Sequence, residues 1–215
     1  MPQKGGALMP GQRNEEDKRR RLVAAVGSLL AEEGHTALGL NKIAWKAGVS
    51  KPMIYRYFGG LNGLLKAYIE RRDSWLPCFE QLDLPAEPTA EELQRCLTRL
   101  LQDQFRALYQ NREMQKLVLW QISGYEALMR GACEAREREG ARLLQLAEAH
   151  FRDSGISLKS VMALLVGGIY VNVLHASAGA GPMAGVDIRN EKEFEGMLAT
   201  IGQVVSWAFG LAGKE

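Results

Sequence analysis

Residues 39–58 read GLNKIAWKAGVSKPMIYRYF, and this stretch decides the fold. Leu40 to Ala47 has the composition and spacing of a short helix. Gly48-Val49-Ser50 breaks it, and Lys51 to Phe58 forms a second. Gly48 supplies the positive φ that a tight turn needs. Ser50 is placed to cap the second helix, and Pro52 fits the first turn, where amide protons lack helical partners anyway. Ile43, Ala47, Val49, Ile54 and Phe58 are expected to turn inward and lock the pair together. Lys51, Pro52, Met53, Tyr55 and Tyr57 are then left outside, on a helix too short to hold itself in water. A helix-turn-helix that exposes basic and aromatic groups in this way suits entry into a DNA major groove.

Upstream, DKRRR (17–21) leads into LVAAVGSLLAEEG (22–34), where apolar residues recur at helical spacing until Gly34 ends the run. Residues 1–14, with Gly5, Gly6, Pro10 and Gly11, read as an arm without apolar period. A longer helix is expected from about Leu61 to Phe79, followed by a DLPAEP linker at 83–88. The expected division is therefore an arm at 1–14, a DNA-binding domain at 15–60, and a helical effector-binding and dimerisation domain at 61–215.

IAWKAGVSKPMIYRYF (43–58), preceded by LAEEGHTAL (30–38) and followed by GLL (63–65), resembles the TetR family of bacterial transcription regulators. The resemblance covers about 22–70. It implies a dimer that binds a palindromic operator on double-stranded DNA, most simply a repressor released by a small molecule in the helical body. By position, Lys51, Pro52 and Met53 stand where such a recognition helix meets base edges. Tyr55 and Tyr57 stand where hydroxyls meet phosphate or adjacent bases, and Asn41 opens the preceding helix where it meets backbone or base. The bland alternative makes Tyr55 and Tyr57 partly buried aromatics and Lys51 a solvated charge. Two departures weaken expected contacts: Leu61 stands where the family commonly has a phosphate-binding lysine, and Gly60 and Gly39 stand where Ser or Thr caps are common. A small-molecule binding protein with lost DNA affinity is the alternative reading.

The rest of the chain reads as all-α. Thr89 and Glu92 form a capping box that opens a helix over about 90–110. Helices at about 112–129 and 130–152 follow, and Ser154-Gly155 breaks the second. The stretches 160–186 and 196–213 carry no charge. Interrupting polar residues and GAGP (179–182) argue against a membrane span in the first. Small residues in both permit close helix approach, and two uncharged helices around 160–178 and 196–212 are expected to hide a face against a second copy in a homodimer, a simple hydrophobic core being the bland alternative.

An effector pocket would lie between helices of the body. Candidate lining aromatics are Trp75, Phe79, Phe105, Tyr109, Trp120 and Tyr125, with Met114 and Met129 beside them. Taken singly, each is more readily a plain core residue than a ligand contact. On helix 130–152 the inward stripe runs from Cys133 through Gly140, Leu144, Ala147 and Phe151, with Arg136 or Glu137 filling its missing turn. A charge on an apolar stripe needs a partner, either a ligand's polar group or a neighbour. A mostly apolar small molecule fits this lining.

The 215 residues carry a net charge of +2 that hides an asymmetry. Residues 1–75 hold 13 Lys/Arg against 7 Asp/Glu, whereas 76–215 hold 14 against 18, so a basic front precedes a mildly acidic body. Cys78, Cys96 and Cys133, odd in number and without a CxxC, point to a reducing cytoplasm and away from a disulfide framework or zinc module. No apolar signal-peptide core opens the sequence. His35, His150 and His175 form no ligand motif, no phosphate-binding glycine loop is present, and no cofactor, metal or catalytic group is expected.

Overall fold

A computed structural model describes residues 10–71, 84–85, 87–123 and 127–213 of the chain. Among these, the regular structure is helical: α1 Pro10–Glu33, α2 Leu40–Ala47, α3 Lys51–Phe58, α4 Leu61–Arg71, α5 Ala90–Gln110, α6 Arg112–Ser123, α7 Ala127–Glu148, α8 Leu158–Ser177 and α9 Glu191–Ala212. Short 3-10 turns at His35–Ala37 and Ala149–Phe151 complete it. Met183 and Val186 form an isolated two-residue bridge.

The chain divides into two compact units. The first comprises residues 1–72 with 120–129. Its core is a set of helical stripes: Leu22, Val26, Leu29 and Leu30 of α1 are buried, as are Ile43 and Ala47 of α2 and Ile54 of α3. α4, expected from sequence to open the body, packs on α1 and α3 inside this unit. Its Leu64, Leu65, Tyr68 and Ile69 are buried there. α1 starts at Pro10, so residues 10–14, expected in the arm, extend the helix.

The second unit comprises 73–119 and 130–215. α5 supplies a seam of Leu93, Leu97, Leu101, Phe105 and Leu108, all buried, at the three- and four-residue spacing of one helix face. The seam packs against α8 and α9, whose Ile169, Val173, Leu198, Ile201 and Val205 complete the core. The Thr89–Glu92 capping box is formed: Thr89 N–H donates to Glu92 Oε2 at 2.8 Å, and Glu92 N–H donates to Thr89 Oγ1 at 3.3 Å. The backbone and side-chain donors of Thr89 hold the Glu92 carboxyl below the usual carboxylate range.

The single helix expected over 112–129 is described as two elements, ending at Ser123 and resuming at Ala127. α8, which carries no charge after Lys159, is long and apolar enough to cross a membrane by length and composition alone. Met162, Ile169 and Val173 place it in the core of the second unit.

Candidate nucleic-acid interface

The turn between α2 and α3 is built as its residues require. Gly48 adopts φ 60°, its N–H bonding back to α2, and Val49 N–H donates to Ala44 O at 3.0 Å. This is a Schellman-type closure, in which the left-handed residue lets two amides satisfy the last helical carbonyls. Arg21 of α1 adds a third tie, its Nη2 donating to Gly48 O at 3.1 Å. Ser50 occupies the cap position of α3, but its hydroxyl makes no capping bond. Backbone carries the start of the helix instead, with Met53 N–H donating to Ser50 O at 3.0 Å.

α3 is anchored by Ile54, wholly buried, and by Tyr57, only 8% exposed. Here the sequence expectation is corrected: Tyr57 does not face outward, and Phe58 is half-buried rather than the inward anchor. Tyr57 lies three residues after Ile54 and shares its face, while Phe58, four after it, sits at that face's edge. The Tyr57 hydroxyl is buried without a protein hydrogen-bond partner, an arrangement that costs about 1–3 kcal/mol.

Lys51, Pro52 and Tyr55 are exposed on α3, Met53 is half-buried, and Asn41 is exposed at the start of α2. Tyr55 stands 53% open to solvent. Two lysines of α2 are already paired with α1, Lys42 with Glu33 and Lys46 with Glu32. Lys51 enters no ion pair among the described residues, so its ammonium can meet a base edge or phosphate without breaking a contact. Sequence reasoning missed two exposed residues. Arg56 follows Tyr55 on the outer face of α3, and Trp45, 80% exposed, borders a shallow hollow of about 380 Å³ between α1 and α2. Arg56 could have been found from its place beside Tyr55 on the same short helix.

Residues 22–68 match the family described as bacterial regulatory proteins, tetR family. That match covers the N-terminal helices, about a fifth of the chain. A curated relative is the HTH-type transcriptional activator FasR of Mycolicibacterium smegmatis, 37% identical over 67 residues. That match spans 31% of this chain and only 31% of FasR. Two solved structures share the fold over nearly the whole chain. The fatty acid degradation regulator FadR of Bacillus halodurans matches with a TM-score of 0.65 and 15% identity, over 94% of this chain and 96% of that one. FadR of Bacillus subtilis, solved in complex with stearoyl-CoA, matches with a TM-score of 0.61 and 15% identity, over 88% and 97%.

The residues expected to line an effector pocket are not gathered into one described lining. Trp75, Phe79 and Tyr125 lie outside the described residues, as do the side chains of Met129, Cys133 and Arg136. Glu137, one of the two candidates for the missing turn of the α7 stripe, is exposed, and Leu143, Ala147 and Phe151 are the buried residues that follow it. Phe105 and Tyr109 do come together, each with its ring 4.8 Å from that of Phe194. Trp120 belongs to the first unit, where its indole stacks parallel on His35 at 5.5 Å.

Proposed function

We propose that this chain is a sequence-specific, double-stranded-DNA-binding transcription regulator of the bacterial cytoplasm that reads a palindromic operator through α3. The carrying observation is the outer face of α3, where unpaired Lys51 stands with Pro52 and exposed Tyr55 on a helix held by Ile54 and Ile43 beneath. Lysine donates to guanine O6/N7, while hydroxyls and amides at the groove edge fix register on phosphate. Asn41 adds a backbone contact from α2, and Met53 an apolar contact to a base.

The chain acts as a homodimer through α8 and α9. Leu164 (77% exposed) and Val171 on α8, with Trp207 (60%) and Leu211 on α9, present large apolar surface. Such surface calls for cover by a second copy. Two recognition helices about 34–36 Å apart then meet successive major-groove faces. A small, mostly apolar effector in the helical body favours one separation of those helices over another and thereby releases the operator. We take the regulator to be a repressor, although FasR is named an activator.

The test is selection of duplexes from a random pool by the purified protein, with Lys51→Ala and Tyr55→Phe in parallel. Recovery of a palindrome, lost with Lys51→Ala, supports the reading. A reporter behind that site rises on deletion of the gene if the protein represses and falls if it activates. Fatty acids and acyl-CoA thioesters are a suitable first effector panel. The rival reading, a small-molecule binding protein without DNA affinity, is favoured by Leu61 in the place of a lysine. Failure to enrich any duplex at low salt would establish that rival.

A further inference from the structure

Around Tyr57 the fold assembles a cluster of charges that the reading above leaves unused. Arg19 of α1 places its guanidinium 5.3 Å from the Tyr57 ring centroid and 5.8 Å from that of Phe58. Arg56 of α3 places its own 5.8 Å from the same Tyr57 ring. Two guanidinium groups 37 positions apart in sequence thus converge on one largely buried aromatic ring of α3. Glu15, one helical turn before Arg19 on α1, bonds Arg56 Nη2 through Oε1 at 2.5 Å. The Tyr57 hydroxyl, buried and without a protein partner, belongs to the same cluster.

We propose that Arg19 and Arg56, brought together over the Tyr57 ring, form a clamp for a DNA backbone phosphodiester, and that Glu15 occupies the phosphate's seat in the DNA-free protein.

Three physical points carry this. A carboxylate oxygen and a phosphate oxygen present the same acceptor to a guanidinium, so the Glu15 oxygen marks where a phosphate oxygen binds. Cation–π contact with the Tyr57 ring, at 5.3 Å for Arg19 and 5.8 Å for Arg56, restrains both guanidinium groups in advance, which reduces the freedom lost on binding. Both members of the Glu15–Arg56 pair are about half or more exposed, so the pair is weak and exchanges readily for a polyanion. Glu15 thereby acts as an internal competitor. It lowers affinity for duplex of every sequence equally, because the contact it blocks is to backbone rather than to bases. Sequence readout through Lys51 is left untouched, and the ratio of specific to non-specific binding is unchanged.

The proposal rests on the DNA-binding reading, and the test separates the two. Binding of the full chain to a fluorescent mixed-sequence duplex of about 30 base pairs is titrated across salt concentrations, where each phosphate contact contributes about 0.9 to the logarithmic salt slope. Wild type is compared with Glu15→Gln, Arg56→Ala, the double variant, and Glu16→Gln as an exposed neighbour on the same helix. Glu15→Gln is expected to bind about two- to fivefold more tightly, the range of an exposed ion pair. Arg56→Ala is expected to weaken binding and to lower the salt slope by about 0.9 for each chain bound. In the Arg56→Ala background, Glu15→Gln is expected to change nothing. An equal gain from Glu16→Gln, or a Glu15→Gln gain that persists without Arg56, would show general charge repulsion and overturn the clamp. Weaker binding by Glu15→Gln would overturn it too, because Glu15 would then be positioning Arg56 rather than blocking it. Wild-type protein that binds no duplex at low salt would bring down the DNA-binding reading itself.

Discussion

Gly63→Ala isolates a close approach at the joint between α3 and α4. A methyl built on Gly63 falls 1.8 Å from the carbonyl oxygen of Phe58 and 2.9 Å from its carbonyl carbon. Unbonded carbon and oxygen settle at about 3.3–3.6 Å, so the overlap is roughly 1.5 Å. Both atoms belong to the main chain or are fixed to it, and no side-chain rotation relieves the clash. Against this stands the ordinary gain of replacing a helical glycine by alanine, up to about 1 kcal/mol. Overpacking costs about 1–3 kcal/mol and occasionally more. Backbone against backbone belongs at the upper end, which leaves a net loss of about 2 kcal/mol. For a chain of this size the melting temperature falls by about 2–4 °C per kcal/mol, hence by about 4–8 °C. The measurement is a thermal melt followed by circular dichroism, with Gly140→Ala alongside. A methyl at Gly140 on α7 meets no atom within 4 Å, so that variant should gain up to about 1 kcal/mol. A Gly63→Ala protein as stable as wild type, or stabilised like Gly140→Ala, would refute the claim that α3 and α4 are joined by contact at this carbonyl.

Thr89→Ala removes the hydroxyl of the capping box and should lower stability by about 1 kcal/mol in urea melts at neutral pH. Glu92 titrates low when folded because Thr89 donates to it, so its contribution is present above its unfolded pKa and is lost as pH falls through the folded value. The penalty of Thr89→Ala should therefore shrink in acid; a penalty constant with pH would separate Glu92 from the cap. Leu164→Asp or Trp207→Asp puts a charge on the apolar stripe of α8 or α9 and should convert a dimer to monomer in sedimentation. Unchanged mass in both would place the subunit contact elsewhere. Leu61→Lys, at the start of α4, should steepen the salt slope of DNA binding by about 0.9 per chain. An unchanged slope would show that this position does not reach phosphate.

Much of the first unit was legible because its signals are local. The turn at Gly48 follows from a steric rule about one residue, and Ile43, Ala47 and Ile54 follow from spacing along two short helices. The capping box at Thr89 was legible for the same reason. Tyr57 was misplaced because α3 has only eight residues. With two turns, spacing does not distinguish whether the inward face runs from Ile54 to Tyr57 or from Ile54 to Phe58. Only the packing of α3 against α2 and α4, which buries Tyr57 and leaves Phe58 half-buried, decides it.

The sequence by itself determined that the chain is helical, where the helix-turn-helix lies, and which residues crowd its recognition helix. Those properties depend on backbone sterics and on spacings of three and four residues. Tertiary structure alone decided that α4 packs with α1 and α3, that Lys42 and Lys46 are spent on ion pairs while Lys51 is not, and that Arg19, Arg56 and Glu15 converge on Tyr57. Each of these joins residues distant in the chain. Charge and aromatic contacts at that range have no periodicity to betray them; they exist only once the helices have packed.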